Sequence, residues 1–435
     1  MGKKTLGIEK NNKRIDDGTQ LMDELFDAAF EYKELKLWKE LWDDQIFAVR
    51  CRDGTTLYAC VMGKNGEYTA IAFYIGAEGL DTMRNMRDSA AFLFLDASER
   101  LEIMLCQDCL SCSFDSMDAL RPTEKAQLRN YCKRKGRKLR GANACPHLER
   151  YLPNHVPWNI REEQDKQHLL EGLRAACTVA KALQERGVEA ETLGLFGNPE
   201  LEGSCPLLVA EDEGWSWQKT ELPEEPESFY ESPTLTELEA KRLKQRKSRG
   251  SWAMGVFLMP RPVVGGGEAA YEPGDEEPYN APFYPFMLCA IDINSGMSVF
   301  HELTSEEGSF RGLMQGVVKA IGKHGCPATI QVQDERTEAF CKAWTGQLGI
   351  RLQFQDEIPA LEDFKEKVLL FAEKDEGEAE AEILQEISEA MDDPEYLPGL
   401  EDEDLMMLCM LAEQVSVPEQ FKSKVMKEAR RRGLI

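Results

Sequence analysis

The sequence has no apolar run approaching the roughly 18 residues that a membrane span needs. Its opening stretch, MGKKTLGIEKNNKRIDDG, carries charge but no apolar core, so a secretory signal is not expected. Met1-Gly2 begins like a myristoylation motif, but Leu6 stands where that motif wants Ser or Thr. The expected location is therefore cytoplasmic, with no membrane partner. Histidine is scarce. His147, His155, His168, His301 and His324 are scattered, with no HxxxH or HExxH spacing. GxSxG, Walker A and dinucleotide-binding GxGxxG motifs are missing, and Gly265-Gly266-Gly267 reads as a loop. Cys145 and His147 have no visible third member, which leaves a thiol protease unsupported. No cofactor is expected from these patterns, and no internal repeat is visible.

What is abundant is acid. The chain has 435 residues and a net charge of −26, with 42% hydrophobic residues, enough for the cores of two or three domains. Residues 373–404 hold fifteen acids against Lys374. An acidic chain lacks the field that gathers nucleic acid, so a protein partner is the expectation. Basic runs occur at Lys133–Arg140, Lys241–Arg249 and Lys422–Arg432. These read as solvated faces, or as partners for the acidic stretch of the same chain.

Thirteen cysteines, an odd number, read as reduced thiols. CQDCLSC sets Cys106, Cys109 and Cys112 at metal-site spacing, with Cys145 or His147 as a conceivable fourth ligand. Read as one strand over Leu101–Phe114, however, the run turns Cys109 away from the other two, and apolar filling is the better reading.

Along the chain, a flexible N-terminus (1–18) precedes an amphipathic helix at 19–34. Strands are expected at Gln45–Arg52, Leu57–Gly63, Tyr68–Tyr74, Ala90–Asp96 and Leu101–Phe114, the first two joined by an Asp53-Gly54 hairpin turn. Residues 139–160 look irregular. A helix at Gln167–Glu185 and a hairpin over 206–222 complete an α+β domain (19–222) with a mostly antiparallel sheet. A linker and charged helix (223–250) follow. Residues 251–375 then run β-β-β-α-β-α-β-α, the order of the ribonuclease-H-like fold, with Phe286–Ile293 as candidate central strand and a long loop at Gly265–Pro282. Residues 376–435 form an acidic and helical tail, with helices expected at Ala379–Met391, Glu401–Val415 and Pro418–Arg432.

Trp38, Phe47, Val61-Met62-Gly63, Gly66-Glu67, Tyr74-Gly76-Gly79-Leu80, Arg140-Gly141-Pro146 and Pro157-Trp158 together resemble an uncharacterised bacterial protein family. The resemblance covers roughly residues 20–185 and departs at Cys145, where an aromatic is expected. Asp292-x-x-x-Gly296, Gly325-x-Pro327, Val332 and Gly349-Ile350 are similar to a second domain of unknown function that follows the first. The resemblance implies domain order and bacterial origin, and supplies no chemistry.

Two functional classes remain. The first is a non-catalytic interaction or regulatory module. The alternative is a metal-dependent nuclease or transposase relative, in which Asp292 and Asp334 at strand ends and Glu362 or Glu366 on a following helix hold Mg²⁺ or Mn²⁺. The same residues have plainer uses: Asp292 in a turn and Asp334 as a helix N-cap. The sequence does not fix the oligomeric state.

Overall fold

The computed structural model describes residues 6–66, 68–87, 97–186, 189–212, 214–224, 232–246, 250–263, 282–304, 313–373 and 419–432, with isolated positions 397, 405, 409 and 434. The chain folds as two compact units, both α+β. The first comprises residues 1–228 with 262–283, and the second 229–261 with 284–435. Residues 262–283, expected in the second domain, thus group with the first. Val263 and Phe283 exchange backbone hydrogen bonds there, and Val156 N donates to Pro282 O.

In the first unit, helix α1 (Leu6–Leu35) leads into β1 (Phe47–Arg50), β2 (Thr56–Met62) and β3 (Ala70–Ile75). Residues 6–18, expected to be flexible, are helical. Gly18 stands inside this helix, where a single glycine costs only about 1 kcal/mol. Asp53-Gly54 makes the expected turn, with Gly54 at φ +93° and Cys51 N donating to Thr55 O. Helix α2 (Gly76–Arg87) follows, then α3 (Ala97–Leu105), β4 (Cys109–Asp115), α4 (Pro122–Lys135), β5 (Cys145–Tyr151), β6 (Trp158–Asn159), α5 (Glu163–Arg186), β7 (Ser204–Glu211) and β8 (Gly214–Glu221).

The eight strands form one sheet, ordered β6-β5-β4-β3-β2-β1-β7-β8, antiparallel except for β1 beside β7. Alternation sorts its two faces. Phe47, Val49, Leu57, Phe73, Leu110 and Cys112 join α1, α4 and α5 in the larger core. Ala48, Tyr58, Ala72 and Tyr74 meet Leu80 and Met83 of α2 on the other.

Two expectations are corrected in this unit. The strand expected over Leu101–Phe114 is a helix to Leu105 and a strand only from Cys109, because the alternating apolar residues of the first half also satisfy a helical stripe. Residues 139–160, expected to be irregular, supply β5 and β6. Pro153 and Pro157 fall between the two strands, Pro146 is accommodated within β5, and β5 runs seven residues against β4. The basic residues that end α4, with Arg137 just beyond it, pair with α1. Arg134 bonds Asp23, Lys135 Nζ lies 2.6 Å from Asp27, and Arg137 lies 3.2 Å from Glu34.

The second unit contains α6 (Glu237–Lys244), β9 (Ser251–Leu258), β10 (Phe286–Asp292), β11 (Ser298–Thr304), α7 (Met314–His324), β12 (Thr329–Val332), α8 (Glu335–Leu348), β13 (Arg351–Phe354), α9 (Pro359–Glu373) and α10 (Glu419–Arg432). Its sheet is ordered β11-β10-β9-β12-β13. The first three strands are antiparallel, and β12 and β13 run parallel to β9. The central place therefore falls to β9 and not to Phe286–Ile293. Both strands are apolar on both faces, so their composition could not separate them. Ala253, Phe257, Met287, Cys289 and Ile291 pack with Leu361 of α9. On the opposite side, Met254 touches Cys341 of α8.

The expected strand at Ala90–Asp96, most of the 265–282 loop, and the expected helices at 379–391 and 401–415 lie outside the described residues, apart from single positions. Among the described residues, no helix is long and apolar enough to cross a membrane.

Candidate functional site

Asp292 is the last residue of β10, directly opposite Trp252 on β9. Its Oδ1 accepts from Asn294 N (3.1 Å), Ser295 N (3.0 Å) and Ser295 Oγ (3.1 Å). Gly296 closes this turn at φ +70°, donating to Asp292 O. The carboxylate thus replaces the backbone acceptors that a tight turn leaves out.

Asp334 is the N-cap of α8. Oδ1 accepts from Thr337 N at 2.7 Å, and Oδ2 from Thr337 Oγ1 at 2.7 Å. Both oxygens are committed within one turn. Ile330 of β12 lies opposite Trp252, so Asp292 sits at the level of Ile330 while Asp334 comes four residues later. That offset is about 13 Å along the strands, with about 10 Å across them. Two ligands of one Mg²⁺ lie within about 4 Å of each other. The register keeps these two carboxylates from sharing an ion. Glu362 and Glu366 are exposed on α9, which turns Leu361 and Lys365 to the sheet instead. The structure does not bring the four acids together.

The carboxyl ends of β9 and β12 are where the connections leave in opposite directions, the usual place for a ligand in such sheets. Cations and rings fill it here. Arg336 Nη2 donates to Val256 O (3.3 Å), and its guanidinium lies 4.9 Å from the Phe286 ring centre. Lys365, only 9% exposed, holds its ammonium 5.8 Å from the Phe257 ring centre. Beside them, burial pushes the Cys289 thiol up to about 12, with the Lys365 charge pulling the other way.

The three clustered cysteines part company. Cys106 follows α3, its thiol donating to Ile103 O at 3.0 Å. Cys109 and Cys112 both lie on β4 but belong to different cores, one on each face of the sheet. None of the thirteen cysteines is in a disulfide.

A second polar group, in the first unit, was not singled out from the sequence. His147 of β5 places Nε2 at 3.3 Å from Glu124 Oε1 and 3.4 Å from Glu149 Oε1, with Nδ1 at 4.0 Å from Asp115. Nε2 makes no aligned hydrogen bond in either contact. Arg121 lies 3.3 Å from Glu149 and donates to Pro157 O at 2.6 Å, and Tyr151 donates to Glu149 Oε2 at 3.2 Å. Glu124 also accepts from Arg121 N, closing the start of α4. Burial raises the Glu124 carboxyl above its ordinary value, and the neighbouring imidazole opposes that. The group ties the start of α4 to β5. CPHLERY carried the signal, since His147, Glu149 and Tyr151 alternate along one strand face.

No curated protein and no solved structure matches the chain. Residues 23–194 match a family model described as a domain of unknown function, DUF7309, and residues 239–369 match a second such model, DUF6930, so the chain is similar to two domains of unknown function in that order.

Proposed function

We propose that this protein acts by binding another protein, as an interaction or regulatory module, and that its second unit is a ribonuclease-H-like scaffold used without metal chemistry. The strand order β11-β10-β9-β12-β13, three antiparallel strands and then parallel crossovers, supports the ribonuclease-H-like reading. The observation that carries the functional reading is the register that separates Asp292 from Asp334. β9, SWAMGVFL, contributes no acid, and Arg336 and Lys365 stand where a metal would need carboxylates. The acidic stretch over 373–404 supplies charge for a basic face on the partner. The resemblance adds a bacterial setting.

The competing reading is a nuclease or transposase relative that holds Mg²⁺ or Mn²⁺ on Asp292, Asp334 and Glu362 or Glu366. Calorimetric titration of Mn²⁺ into the wild type and into Asp292→Asn/Asp334→Asn separates the two, because weak binding to the acidic stretch is common to both. Superimposable curves are expected. Loss of a distinct site in the variant would overturn the binding-module reading in favour of the nuclease or transposase relative.

A further inference from the structure

Among the described residues, the two sheets present four edges, and three of them are blunted. β6 is two residues long and β13 is four. β11 pairs with β10 through a register shift at Ala290/Ile291 and is flanked by α7. Short strands, bulges and covering helices are the ordinary means of keeping an edge from pairing with another chain.

β8 has none of them. It runs eight residues, GWSWQKTE, in unbroken register with β7 from Ser204↔Glu221 to Glu211↔Gly214. It contains no proline, and Lys219 is its one cation. Gly214, Trp217, Gln218, Lys219 and Glu221 are exposed, Trp217 by 38%. A large aromatic on a straight, solvent-facing edge is a template for strand addition.

The strand's own sequence selects the occupant. We propose that β8 pairs antiparallel with β8 of a second copy, about a two-fold axis at Gln218, joining two eight-stranded sheets edge to edge. The two-fold keeps each sheet face aligned with its equivalent, and side chains alternate with period two, so only registers centred on a residue are open. Centring on Lys219 sets two ammoniums face to face. Centring on Trp217 carries Glu221 beyond Gly214, toward Asp212 and Glu211. Centring on Gln218 places Trp217 opposite the partner's Lys219, Ser216 opposite the partner's Thr220 and Trp215 opposite the partner's Glu221. No like charges then face each other, and two Lys–Trp pairs form, of the kind that stabilises cross-strand neighbours. This proposal rests on the reading of the protein as an interaction module and names one of its partners, a second copy.

The test is the molar mass of the full chain by sedimentation or light scattering across a concentration series. Wild type is expected to shift from monomer to dimer as concentration rises. Trp217→Lys sets a second ammonium against the partner's Lys219 and is expected to weaken the dimer roughly tenfold or more. Trp217→Glu removes the same aromatic but offers that lysine a carboxylate, and is expected to keep the dimer. Circular dichroism confirms that both variants are folded. A wild type that stays monomeric throughout overturns the proposal, as does equal dimerisation of the two variants. A Mn²⁺ site lost with Asp292 and Asp334 would overturn the functional reading and leave the dimer standing. A monomeric wild type would do the reverse.

Discussion

Gly172 of α5 lies against the ring of Phe73 on β3, so closely that a Cβ at position 172 would meet Cε1 at 2.8 Å and Cδ1 at 2.9 Å. Phe73 is fully buried and cannot swing away. The glycine is what lets α5 settle onto the sheet. Gly172→Ala pits a helix-propensity gain of about 1 kcal/mol against overpacking of about 1–3 kcal/mol or more. With three ring atoms under 3 Å, overpacking wins, and a net loss of stability in denaturant unfolding is expected. A stabilised variant would show that α5 can lift off the sheet without cost.

Asp334 offers a test in the second unit that distinguishes a cap from a metal ligand. Both of its oxygens bond Thr337. Asp334→Ala is expected to cost about 1 kcal/mol, the usual value of an N-cap. Asparagine caps nearly as well, so Asp334→Asn is expected to stay within about 0.5 kcal/mol of wild type. Urea unfolding of both variants checks this. Equal losses in the two would mean that the negative charge, and not the cap geometry, is what matters.

Acid stability should depend on Asp53. Its carboxylate accepts from Thr55 N at 2.9 Å and lies 2.7 Å from His168 Nε2. The Thr55 amide, followed by the His168 contact, pulls its pKa down from 3.8 to about 2. A folded-state pKa below the unfolded one means stability that is fully present above pH 3.8 and lost as pH falls through about 2. Asp53→Asn should therefore be less stable than wild type near pH 6, and the two should converge near pH 2. Thermal unfolding midpoints across that range would decide. A constant gap at all pH values would mean that the loop geometry, and not the charge, is responsible.

Much of the architecture was legible in the chain because its signals are local. Period-two alternation marked β1 to β3, Asp53-Gly54 marked their first turn, and apolar stripes marked α5 and α7. The order of strands and helices in the second unit could be read the same way. The same local signals failed where two periods fit one run. LEIML satisfies a strand and a helix equally, and only its packing beside α2 makes it helical. They failed again at 139–160, where pairing with β4 orders a Pro-containing segment.

Composition and spacing alone determined that the chain is acidic, that it has no apolar run long enough for a membrane-crossing helix, and that Asp292 and Asp334 stand beside turn and helix starts. They left open whether those two acids meet, because residues 42 apart in the chain are placed by register, which depends on how strands from different parts of the chain hydrogen-bond. Tertiary structure decided that they lie at opposite ends of the sheet's middle strands. It also drew His147, Glu124 and Glu149 together from separate elements, and it left β8 as the long unguarded edge among the described strands. Each of these follows from pairing between distant segments, which no local pattern encodes.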